Sequence, residues 1–171
     1  LAESSARKEK KMSTPTDIER VSYGGPRGSL QLGAPREVVT AATAVQLTAA
    51  QSGALCLFSQ AAATTYTLPT PVEGMEFEFL NTILATGAHK VVTKTTASEF
   101  LLGAVNSGDL DAATDVFQAN GTDIVALSQN GSTTGGLVGS SFKLTAISTT
   151  QWVVRGSIVG TATVLTPFAT S

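Results

Sequence analysis

Cysteine, histidine and tryptophan each occur once in this 171-residue chain, aromatics make up 6% of it and charged residues 14%. Each scarcity excludes something. The single Cys56 cannot close an internal disulfide, so stability must come from packing and from oligomerisation. With one cysteine and one histidine, Cys56 and His89, no zinc cluster can form within a single chain. Eleven Lys and Arg against thirteen Asp and Glu leave no basic surface of the kind that nucleic acid demands. No run of eighteen apolar residues occurs, which excludes a membrane-spanning helix. No apolar core follows the early basic cluster, so a signal peptide is not expected and the chain reads as made in the cytoplasm.

What is abundant is small: Ala, Thr, Ser and Gly, which suit short strands and tight turns better than long helices. The stretch from Leu47 to Phe79 is the most strongly patterned. Leu55 and Leu57, Tyr66 and Leu68, and Met75, Phe77 and Phe79 each alternate, placing large side chains on one face of successive strands. Turn residues at Gln51 to Gly53, Ser59 to Ala63 and Pro69 to Gly74 separate these runs, as in an antiparallel meander.

Further strands are expected at Glu37 to Thr40, Ala44 to Leu47, His89 to Thr93, Phe100 to Leu102, Val116 to Gln118 and Ile124 to Leu127. Asn106 to Ala113 reads as a polar loop. Asn120-Gly121 and Asn130-Gly131 mark hairpins or loop corners, and Ser141 to Ile147 with Gln151 to Val159 forms a hairpin around Ser148 to Thr150. Nine or ten short strands with frequent turns define an all-β, antiparallel β-sandwich or jelly-roll-like body.

Before this body comes a different kind of sequence. Residues 1–37 carry seven Lys or Arg against five acids, and residues 38–171 carry four against eight, so a basic arm precedes an acidic body. Arg7, Lys8, Lys10 and Lys11 cluster near the start. Gly24-Gly25-Pro26 and Gly33-Ala34-Pro35 then interrupt any helix that Thr16 to Arg20 could begin. Ile18, Val21, Tyr23, Leu30 and Leu32 are too irregular to form a core and need a partner surface. The expected division is therefore an extended arm over 1–37 and a β-sandwich over 38–171.

Candidate chemistry is sparse. Glu76 and Glu78 share one strand face and could present paired carboxylates, but Phe77 and Phe79 opposite them make this a solvated face. Asp109, Asp111 and Asp115 form a loose acidic loop without the glycine and terminal glutamate of a calcium loop. Gly135-Gly136-Leu137-Val138-Gly139 lacks the Lys-Ser/Thr ending of a phosphate loop and reads as a flexible loop or bulge. No catalytic residue, cofactor site or metal site is expected.

Tyr66-Thr67-Leu68-Pro69 followed by Gly74-Met75-Glu76-Phe77-Glu78-Phe79 resembles the Thr-Leu-Pro and Gly-x-x-Phe-x-Phe pattern of tailed-bacteriophage head decoration (cement) and appendage proteins. Asn130 to Gly136 and Gln151-Trp152-Val153-Val154 are similar to that group too, and the resemblance spans about residues 45–160. It implies a β-domain that trimerises as a knob on the capsid exterior, with terminal arms lying over neighbouring major capsid proteins. On that basis the arm residues Ile18, Tyr23, Leu30 and Leu32 are expected to be apolar anchors, with Arg20, Arg27 and Arg36 reaching acidic capsid groups. The rival expectation is a receptor- or glycan-binding domain of a tail fibre or baseplate, using Trp152 and Tyr66 as aromatic platforms. An enzyme such as a polysaccharide lyase or hydrolase is the third reading and lacks a catalytic constellation. Neither nucleic acid nor membrane is an expected partner.

Overall fold

The computed structural model describes residues 35–109, 114–161 and 165–171. The first six strands are β1 (Val38–Thr40), β2 (Ala44–Gln46), β3 (Leu55–Phe58), β4 (Thr64–Thr67), β5 (Glu76–Asn81) and β6 (His89–Val92). They alternate between two sheets. β1, β3 and β5 lie side by side and parallel in one, and β2, β4 and β6 do the same in the other. The chain therefore winds three times around a common interior, each parallel neighbour reached by a crossover through the opposite sheet.

The later strands extend this coil. They are β7 (Phe100–Asp109), β8 (Thr114–Asn120), β9 (Ala126–Gln129), β10 (Ser141–Ala146), β11 (Gln151–Gly160) and β12 (Phe168–Ala169). One sheet has the order β1-β3-β5-β10-β11-β7-β8, and the other β12-β9-β6-β4-β2. The all-β, two-sheet expectation holds, whereas the antiparallel pairing is corrected: both sheets are mixed, with β11 and β7 also parallel. Alternation along a strand reports which face is buried and carries no information about the neighbouring strand.

Two local readings also change. In β3 the buried residues are Cys56 and Phe58, while Leu55 and Leu57 face outward, because the larger Phe58 fixes which side meets the interior. Polar Asn106 to Asp109, read as loop, continue β7, whose ten residues pair in unbroken register with β11. Ladder bonds there override the weak strand preference of Asn, Ser, Gly and Asp. The Asn-Gly pairs are loop corners: Gly121 and Gly131 take φ of 79° and 76°, and Asn120 Oδ1 accepts from the Thr122 and Asp123 amides. The β10–β11 hairpin stands as expected.

The scarce aromatics fill the interior. Phe58, Tyr66, Phe77, Phe79, Phe142 and Trp152 are buried, with Phe79 stacked on Phe142 at 5.2 Å and Phe58 edge-on to Tyr66 at 5.2 Å. Each buried ring contributes about 1.5–3 kcal/mol by its removal from water. Tyr66 also ties the sheets together. From β4 its hydroxyl donates to the Leu57 carbonyl of β3 at 2.7 Å, with the Val39 carbonyl 3.1 Å away. The Gly74 to Phe79 motif is scaffold in this setting: Gly74, at φ 87°, makes the turn that starts β5, and Phe77 and Phe79 fill the core.

Candidate functional site

The outer face of the seven-stranded sheet is where the described residues display side chains that the interior does not use. Register places Leu55, Glu78, Lys143, Arg155, Ala104 and Gln118 in one row across it, with Val38 at its β1 end. The next row runs Thr40, Leu57, Leu80, Ser141, Ser157, Asn106 and Val116. Aliphatic groups gather on the β1-β3-β5 side and charges at its centre. Val38 and Val116, one on each edge strand, are 54% and 66% exposed.

Arg36 sits at the entry to this face. Its Nε donates to the Gly53 carbonyl at 2.9 Å, Nη2 to the Ala54 carbonyl at 3.2 Å and Nη1 to Glu78 Oε2 at 2.5 Å. The structure thus places Arg36, expected among the arm's contacts, on the body itself. Glu37 beside it accepts from Gln51 Nε2 at 2.9 Å. The other arm residues named above, Ile18, Arg20, Tyr23, Arg27, Leu30 and Leu32, lie outside the described residues.

Glu76 and Glu78 do share this outer face, but each is held by a cation. Lys143 pairs with Glu76 at 2.5 Å and Arg36 with Glu78 at 2.5 Å, all four side chains remaining well exposed. Each carboxylate is thus engaged in its own surface ion pair, as on a solvated sheet face. Arg155 belongs to neither of the two ion pairs formed among the described residues. A groove of about 190 Å³ opens beside it, lined by Lys143, Thr145, Ile147, Val153 and Arg155.

The titratable singletons are structural. Cys56 is fully buried in β3, and burial pushes its thiol up to about 12, with the Glu37 charge adding to the effect, so no thiolate is on hand. His89 is buried too. Asn81 Nδ2 lies 3.1 Å from its Nδ1, and its Nε2 lies 2.7 Å from the Gln60 carbonyl. These contacts define a neutral ring that donates from Nε2 and accepts at Nδ1. Burial lowers its pKa, against the opposing pull of the Gln60 carbonyl. Both expected sugar platforms, Trp152 and Tyr66, are wholly buried, and no described aromatic is exposed.

The remaining motifs add no site. In the Gly135 to Gly139 loop, Gly135 and Gly136 are packed, the Gly131 amide donating to the Gly135 carbonyl at 2.6 Å and the Ala85 amide to the Gly136 carbonyl at 3.1 Å, while Val138 and Gly139 are exposed. Asp115 is exposed on β8, and Asp111 lies outside the described residues. Among the described residues no three His, Cys, Asp or Glu side chains converge as a metal would require. Comparison with protein-family models, curated proteins and solved structures finds no match to this chain.

Arg155 and its groove were missed by reading along the chain. The available signal was the alternation Lys143, Thr145, Ile147 on one strand and Val153, Arg155 on its hairpin partner, which puts all five on one face once the Ser148 to Thr150 turn is placed.

Proposed function

We propose that this chain is a non-enzymatic decoration, or cement, protein of a tailed bacteriophage. It binds the outer surface of the capsid and stabilises the shell by bridging neighbouring major capsid proteins. The observation that carries this reading is the junction at Arg36. A body whose histidine, cysteine, tyrosine and tryptophan all serve packing follows, from a residue clamped to its own sheet, a sequence that supplies Ile18, Val21, Tyr23, Leu30 and Leu32 as apolar anchors. The Thr67-Leu68-Pro69 and Gly74 to Phe79 motifs support the same family of virion β-domains.

In this reading Ile18, Tyr23, Leu30 and Leu32 bury apolar groups on the capsid surface, and Arg20 and Arg27 pair with its carboxylates. Arg36 sets where the arm leaves the body. Three bodies joined as a homotrimeric knob multiply individually weak arm contacts into avidity. No cofactor, nucleic acid or membrane is called for. Deleting residues 1–35 is expected to leave a folded oligomer that no longer cosediments with expanded capsids of its own virion. Undiminished cosedimentation by the truncated protein would remove the arm from this role.

The rival tail-fibre reading loses its two aromatic platforms to the core, since a buried ring cannot stack on a sugar.

A further inference from the structure

We propose that the groove between β10 and β11 is a second contact site, which takes an acidic, aliphatic-bearing segment of a partner protein. Residues 38–171 contain only four cations against eight acids, and two of the four, Lys143 and Arg155, line this one groove. They are direct cross-strand partners in the β10–β11 ladder. Like charges facing each other across a ladder are destabilising, so the arrangement opposes the stability of the hairpin. Lys143 finds relief in Glu76 at 2.5 Å. Arg155 forms no ion pair among the described residues, and its side chain is exposed.

The rest of the lining sets the chemistry of the occupant. Ile147, 45% exposed, and the part-buried Val153 provide an aliphatic wall, and Thr145 offers a hydroxyl. An Arg fork can take a carboxylate through two parallel N–H donors, which a lone lysine cannot do. A carboxylate on Arg155 with an adjacent aliphatic side chain against Ile147 and Val153 satisfies both halves of the groove. An all-acidic segment leaves the wall unused, and an all-apolar one leaves the arginine without a partner. Because two of the body's four cations stand side by side here on an otherwise acidic body, charge favours this position for such a segment. The residues that line this site all belong to the body, so its occupation can be tested apart from the arm.

The test uses the full chain and two capped synthetic peptides, Asp-Glu-Leu-Glu-Asp and its amide counterpart Asn-Gln-Leu-Gln-Asn, titrated by two-dimensional amide NMR. The acidic peptide is expected to shift the Lys143 to Ile147 and Val153 to Arg155 amides. Arg155→Gln should weaken it at least about five-fold, as should raising salt from 50 to 500 mM. Ile147→Ser should weaken it less, while leaving the salt dependence intact. Equal shifts from the amide peptide, or shifts centred elsewhere, overturn the proposal. So does an Arg155→Glu chain that changes from oligomer to monomer by light scattering, since the occupant is then a second copy. Both arginine variants alter an exposed side chain, and unchanged thermal unfolding confirms that they fold.

Discussion

The imidazole of His89 lies flat on the ring of Phe58, with centroids 4.6 Å apart and planes 6° from parallel. The start of β6 meets the ends of β3 and β5 here, for Asn81 at the end of β5 bonds Nδ1 at the edge of the imidazole. The ring is neutral in this setting, and burial keeps its pKa below the ordinary 6.5. Between the lowered folded value and about 6.5 the unfolded chain binds more protons, so stability is level above about pH 6.5 and falls as pH drops below it. One group limits the slope to about 1.4 kcal/mol per pH unit. Urea unfolding at pH 7.5, 6.5 and 5.5 should show this loss, and His89→Gln should flatten it. Parallel pH profiles for the two proteins would falsify the assignment.

Gly103 presents a different constraint. It lies within β7 at φ +114°, and a Cβ there would run into the Val154 carbonyl of the neighbouring strand. Gly53 shares a positive φ, +92°, but has open space around it. Substituting Ala should therefore cost about 1 kcal/mol at Gly53, from backbone strain alone, and about 3 kcal/mol or more at Gly103, where strain and collision combine. Chemical denaturation of the two variants measures the difference. Equal costs would mean that the β7–β11 ladder yields to a methyl group.

Such contrasts mark how far the sequence could be read. The alternation of Glu76 to Phe79 located β5 correctly, because a period of two needs only local information. The same alternation located β3 but not which of its faces is buried. Leu55 and Leu57 look like core residues until Phe58 is seen to point the other way. Parallel pairing, the length of β7 and the groove at Arg155 all depend on which distant strands become neighbours. The turn residues between β3, β4 and β5 look the same whether the chain doubles back or crosses to the opposite sheet. Arg36 was read as an arm residue because nothing in Gly33-Ala34-Pro35-Arg36 announces the carbonyls of Gly53 and Ala54, seventeen and eighteen residues on.

Cys56 supplies a probe of the coil itself. Its side chain is fully buried, its sheet neighbours Val39 and Phe79 face the same core, and its thiol is pushed up to about 12. Reaction with a thiol reagent at pH 8 should therefore be slower than that of the unfolded chain by the fraction of molecules open at any moment, on the order of a thousand-fold or more. The rate should rise with urea in step with unfolding. Rapid labelling in native buffer would mean that β1, the short edge strand beside it, opens independently.

Arg36 allows the boundary between arm and body to be tested to the residue. Its ion pair with Glu78 is exposed on both sides, so the charge interaction alone should contribute no more than about 0.5 kcal/mol. The hydrogen bonds to Gly53 and Ala54 add to it, because they satisfy carbonyls at the turn that leads into β3. Removing residues 1–35 should leave unfolding unchanged, and removing 1–36 should lower stability by about 1 kcal/mol. Glu78→Gln in the full chain should cost less than half of that. If the chain has the proposed decorating role, capsid binding should fail equally in both truncations, since neither retains Ile18, Tyr23, Leu30 or Leu32. If Arg36→Ala in the full chain abolishes capsid binding while leaving stability untouched, the residue belongs functionally to the arm, and its contacts with β3 and β5 are incidental.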